Sequence, residues 1–155
     1  MTSTWTETDF DSLCWHDTHV HGLRFVDDEH GSGELWLDLD LILEWIGPAQ
    51  EGGSFRFRVA PALLKFHEVL SLRVSLDYAT PGAGTDPFSI DGIEREAIAR
   101  PEGFHYWKWR LEVNWPQGEI TFGSPGFTLQ LTGPVVETGA QQLTPAERKG
   151  DFPAN

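Results

Sequence analysis

Gly33–Ile46 reads GELWLDLDLILEWI and places leucine at 35, 37, 39, 41 and 43. Successive side chains of a strand point to opposite faces, so these leucines form one apolar ridge. The reverse side carries Glu34, Trp36, Asp38, Asp40, Ile42 and Glu44. A helix would scatter the same leucines around its circumference, which makes a half-buried strand the reading. Residues 47–53 (GPAQEGG) have turn chemistry, and residues 54–59 alternate Phe55, Phe57 and Val59 with Arg56 and Arg58. Pairing the two strands about the centre of that turn sets Leu43 opposite Phe57 and Glu44 opposite Arg56. Apolar ridge and opposite charges then match together.

Working outward, residues 13–26 read as a preceding strand, with Gly22 a bend or bulge where the apolar parity shifts. Residues 27–33 (DDEHGSG) turn it into the leucine strand. Ala60-Pro61 is expected to interrupt the ladder, because proline donates no hydrogen bond. Residues 62–69 fit either a strand or a short helical turn. In 70–78, Leu70, Leu72, Val74, Leu76 and Tyr78 are expected to face inward, toward the leucine ridge and its partners Phe55 and Phe57. Residues 80–87 (TPGAGTDP) form a loop, and 88–100 read as a strand bulged at Asp91-Gly92, with a short helix as the alternative. Residues 105–115 alternate again, with His105, Trp107, Trp109, Leu111, Val113 and Trp115 on one side. Pro116-Gln117-Gly118 turns the chain back into 119–122, and 127–131 is a last strand. Thr144-Pro145-Ala146-Glu147 has the N-cap, N1 proline and N3 glutamate of a short helical turn.

The expected fold is therefore all-β: an antiparallel sandwich, roll or partly closed barrel of about seven to nine strands with a short C-terminal helical turn. Its division is a loose N-terminal arm over 1–10, one β domain over 11–137, and a tail over 138–155. A chain of 155 residues is one domain's worth.

The formal charge is −13, from 24 acidic and 11 basic side chains. That balance disfavours nucleic acid and anionic membrane surfaces and favours a cationic protein partner. A single cysteine, Cys14, excludes an internal disulfide. The N-terminus lacks the basic start and apolar run of a signal peptide, and no apolar stretch nears the ~20 residues of a membrane span. A cytoplasmic location is the expectation.

The densest polar segment is Trp15-His16-Asp17-Thr18-His19-Val20-His21. In an extended strand Asp17, His19 and His21 share a face, and imidazole with carboxylate suits zinc or non-haem iron. A hydrogen-bonded structural cluster uses the same residues, and no metal or other cofactor is expected. His16 and Asp17 are adjacent, so on a strand their side chains would point apart. Cys14 and His16 share a face as a nominal thiol–imidazole pair, though a lone strand cysteine also serves as a small hydrophobe. Phosphate loops, dinucleotide fingerprints, serine elbows and CxxC pairs are absent from the sequence.

Trp15-His16-Asp17, then Val20 and Leu23, then the leucine strand ending in Glu44-Trp45, resembles the N-terminal part of small bacterial β-rich families of unknown activity. The resemblance covers roughly residues 13–46. Some of those families, with a comparable His-Asp opening, are assigned as immunity proteins of polymorphic toxin systems. The resemblance implies no catalytic residues. Two functions follow as expectations. The first is a non-enzymatic cytoplasmic binding protein, an acidic immunity-type inhibitor of a basic toxin. It would bind through Asp27, Asp28, Glu29, Asp38, Asp40 and Glu44, with Trp36 as an exposed apolar anchor. The alternative is a metal-dependent or small-ligand enzyme that uses the 16–21 segment.

Overall fold

The computed structural model describes residues 4–27, 33–99 and 105–148. These form one antiparallel sheet of ten strands that curls over without closing. The strands are β1 (Thr4–Thr6), β2 (Thr18–Asp27), β3 (Gly33–Ile46), β4 (Arg56–Phe66), β5 (Leu70–Leu76), β6 (Phe88–Ile98), β7 (Tyr106–Trp115), β8 (Gln117–Ser124), β9 (Phe127–Leu131) and β10 (Val136–Thr138). Their order is β1-β9-β4-β3-β2-β6-β7-β8-β5, and β10 also pairs with β4. The all-β antiparallel expectation is met. Among the described residues, no helix is long and apolar enough to cross a membrane.

The sheet folds at β2, which pairs with β3 along most of its length but with β6 only at Thr18, His19 and Val20. Folding there brings the inner faces of β3, β4 and β9 onto those of β6, β7 and β8. Leu35, Leu37, Leu39 and Leu41 are buried in this core with Leu64, Phe66, Trp109, Leu111, Phe122 and Phe127. The aromatic rings meet edge to face, Phe66 on Phe122 at 4.6 Å and Phe66 on Trp109 at 5.1 Å between centroids. The indole nitrogen of Trp109 donates to the Ser124 carbonyl at 3.0 Å, so its burial leaves no orphan donor.

Bulges decide which residues reach this core. In β2 the register shifts between Val20 and Gly22, so Val20 points inward before the bulge and Leu23 after it. In β3 it shifts between Ile42 and Glu44, so Leu43 is the extra residue and only partly buried. The hairpin of β3 and β4 forms as expected but in a different register. Glu44 lies opposite Arg58 and Trp45 opposite Phe57, where Glu44 with Arg56 and Leu43 with Phe57 had been expected. In β6 the bulge falls at Asp91, as read from the sequence.

Four other expectations change. Pro61 does not interrupt β4, because it sits where β4 exchanges one partner for another, β10 up to Val59 and β9 from Ala62. Its missing donor falls in that gap, and its carbonyl accepts from the Thr132 amide at 2.8 Å. β5 is an edge strand: Leu72 and Leu76 pack against the core, whereas Leu70 and Val74 are 52% and 42% exposed. Phe55 stands 52% exposed at the hairpin end rather than under the ridge. Within the arm, Thr4–Thr6 pair with β9, and a 3-10 turn, Glu7–Ser12, follows. The capping residues at 144–147 form their turn, the Thr144 amide donating to Glu147 Oε1 at 2.9 Å and the Glu147 amide to Thr144 Oγ1 at 3.3 Å.

Candidate functional site

The outer face of β2, β3 and β4 collects most of the polar residues singled out above. The 136–148 segment folds back over it. Val136 pairs with Val59, and Leu143 packs with Ile42, Phe57 and Val59. The reverse side of the leucine ridge is therefore an interior layer instead of an open acidic face.

Asp40 is fully buried there and Trp36 is only 8% exposed. Asp40 Oδ2 accepts from His21 Nε2 at 2.6 Å and from the Leu143 amide at 2.9 Å. The Arg148 guanidinium bridges Asp40 Oδ1 and Asp38 Oδ1. Burial raises the Asp38 carboxyl above its ordinary range, and the charge of Arg148 opposes that shift. Trp36 donates from Nε1 to Glu34 at 3.2 Å and lies under the Lys65 ammonium at 4.2 Å. Glu34 also holds His67 Nδ1 at 2.5 Å. The expected exposure of Trp36, Asp38 and Asp40 is thus corrected: the returning tail covers Asp38 and Asp40, and Trp36 packs with Val26 and Leu63 beneath Lys65. Asp27 and Glu44 are exposed, Glu44 beside Arg58 at 3.5 Å. Asp28 and Glu29 lie outside the described residues.

The 16–21 segment is divided between two environments. Asp17 precedes β2 with a left-handed φ of 60°, and this twist lets its Oδ2 approach His16 Nε2 at 3.4 Å. The pair expected to point apart on a strand therefore meets. Asp17 also accepts from the Gln141 amide nitrogen at 2.8 Å. His19 lies opposite Asp40, its Nδ1 buried without a well-formed hydrogen bond among the described residues. Asp17, His19 and His21 do not converge on one point: among the described residues no group of three or more His, Cys, Asp or Glu side chains is arranged to hold a metal ion. His21 spends its Nε2 on Asp40. No hydrogen bond joins Cys14 to His16 among the described residues. His16 turns instead to Asp91, its Nδ1 lying 3.2 Å from Oδ1.

Burial holds the His19 imidazole below its usual 6.5, against the pull of the Asp17 backbone and the Asp40 and Asp17 carboxylates. In the unfolded chain His19 takes a proton near 6.5, and in the folded chain only at lower pH. The unfolded state therefore binds more protons between those values, and stability is full above 6.5 and falls as the pH drops through the folded value. The thermal midpoint should decline on acidification below neutrality, and His19→Gln should flatten that part of the profile. Superimposable profiles for the two proteins would place the acid sensitivity elsewhere.

A second feature was not legible from parity. Because Leu43 bulges, Trp45 leaves the ridge side and joins Phe57 on the outer face, ring to ring at 5.0 Å. Phe55 meets Trp45 edge-on at 6.4 Å, and His16 stacks on it at 6.1 Å with 17° between planes. Trp45 is 37% exposed and Phe55 52%. Asp17 and Asp91 border this patch through His16. A shallow cavity of about 230 Å³ lined by Trp5, Leu13, Cys14 and Trp45 adjoins it. No family model matches the chain, and no curated protein or solved structure matches it.

Proposed function

We propose that this chain is a non-enzymatic cytoplasmic binding protein that presents the Trp45–Phe55 patch and its acidic border to a cationic protein partner. The observation that carries the reading is the exposure of those two rings, 37% and 52%, beside Asp17 and Asp91, which both contact the His16 ring stacked on Trp45. Exposed aromatic anchors inside a polar rim are the usual chemistry of interface hot spots. The charge of −13 supplies long-range attraction for a basic surface and speeds encounter. An immunity-type inhibitor covering a basic toxin is the specific relationship that fits both this patch and the resemblance of residues 13–46. The enzyme alternative draws little support from the geometry, since the carboxylate of Asp40 is occupied by His21, Leu143 and Arg148.

Titration against a panel of cationic nuclease toxins, beside neutral toxins as controls, tests the proposal. Binding should be confined to cationic members and weaken steeply with salt, as expected when charges are screened beyond ~8 Å. Trp45→Ala should cost about 2 kcal/mol, roughly thirtyfold in affinity, mainly through faster dissociation. Affinity unchanged in Trp45→Ala, or binding insensitive to salt, would remove the patch from any role in recognition.

A further inference from the structure

The opposite end of the sheet holds a second feature, unrelated to the aromatic patch. The outer faces of β5, β8 and β7 form a cleft of about 620 Å³, lined by Arg73, Lys108, Thr121, Tyr106, Ile98 and neighbouring residues. That volume is in the range of sites for small molecules, roughly 300–1,000 Å³.

The charges in the cleft are unusual for this chain. Acids outnumber bases 24 to 11, so a surface cation has an excess of carboxylates available. Arg56 and Arg58 each take one, Arg110 and Arg148 each take two, and Arg95 lies against the rings of Phe10 and Trp107. Arg73 and Lys108 enter no ion pair, hydrogen bond or ring contact recorded among the described residues. Glu96 is the cross-strand neighbour of Lys108, yet the two do not pair. Glu119 lines the cleft but is held by Arg110 Nε at 2.9 Å. Two cations without an ion pair among the described residues therefore face one concavity.

The rest of the cleft is preformed. A side chain at position 123 would bring its Cβ to 2.9 Å from the Tyr106 ring, so glycine is what lets that ring approach β8 so closely. The Tyr106 hydroxyl donates to the Glu68 carbonyl and fixes the ring there. The rim turn holds Glu68 and Ser71 in the left-handed region, at φ 45° and 55°, uncommon for residues that carry a Cβ.

We propose that this cleft binds a small organic anion, its carboxylate or phosphate seated between Arg73 and Lys108 and its apolar part lying along Leu70 and Ile98. Guanidinium and ammonium are the natural partners of such groups, and the Thr121 and Ser71 hydroxyls add neutral donors. The overall negative field excludes polyanions, so the ligand carries one anionic group and not a nucleic-acid backbone.

Amide chemical shifts followed during titration with benzoate, phenyl phosphate, inorganic phosphate and benzyl alcohol test this. Benzoate or phenyl phosphate should give saturable shifts at Arg73, Thr121 and Gly123, and the stronger of the two identifies the headgroup. Inorganic phosphate should bind more weakly, and benzyl alcohol should leave these amides unmoved. Arg73→Gln and Lys108→Gln, both at exposed positions, should each weaken binding about tenfold while the other amides keep their shifts. Shifts that never saturate, equal binding of benzyl alcohol, or affinities unchanged in both variants would overturn the proposal.

Discussion

Asp40→Ala is expected to destabilise the protein by about 3–5 kcal/mol, the range for removing one member of a buried charge pair. The carboxylate is fully buried and accepts from His21, the Leu143 amide and Arg148. Without it, the Arg148 guanidinium, 9% exposed, keeps only the Asp38 carboxylate and a long bond to the Leu39 carbonyl, and two further donors lose their acceptor. The contacts of Leu143 with Ile42, Phe57 and Val59 depend on the same anchor. Urea unfolding measures the effect as a lowered midpoint, with the slope showing whether the variant still unfolds as one unit. Asp40→Asn, which keeps an acceptor and the side-chain volume, should fall well short of the alanine loss. Proteolysis of the 136–148 segment should quicken in the alanine variant before the core opens. A midpoint change below about 1 kcal/mol would mean that the tail does not depend on this carboxylate.

Leu39→Ala is expected to cost about 2–5 kcal/mol, the sum of lost transfer energy and the cavity left in a packed core. Leu39 is fully buried at the centre of the ridge, opposite Ala62 on one side and Val20 on the other. Two small or branched neighbours cannot swing in to fill the space, so collapse should be limited. Leu43→Ala makes the informative comparison. It continues the same alternation in sequence but occupies the bulge and is only partly buried, so its loss should stay well under about 2 kcal/mol. Equal losses at the two positions, measured by denaturant unfolding, would contradict the bulge.

The ridge shows how far periodicity carries. Alternation predicts Leu35 through Leu41 correctly, because a two-residue repeat puts side chains on one face whatever the strand packs against. It fails at Leu43 because a single inserted residue reverses the parity of all that follows, and no local residue preference announces it. Trp45 and Phe55 consequently appear as an exposed patch that the pattern had no means of indicating. The bulges near Gly22 and Asp91 were readable, since a glycine stood at each and parity visibly changed around it.

For the candidate site, the chemically dense segment 16–21 and the carboxylates 38 and 40 were evident from residue types alone. Their surroundings were not. Arg148 lies 108 residues from Asp40 along the chain, and nothing near either residue encodes that pairing. The sequence by itself determined the strand-forming alternation, the turns and the acid excess, because these follow from neighbouring residues and from simple composition. Only the tertiary structure decided that the outer side of β3 is an interior layer, that β5 is an edge, and that Arg73 and Lys108 share a cleft. Burial of a face depends on what folds back over it, and that is fixed by contacts between residues far apart in the chain.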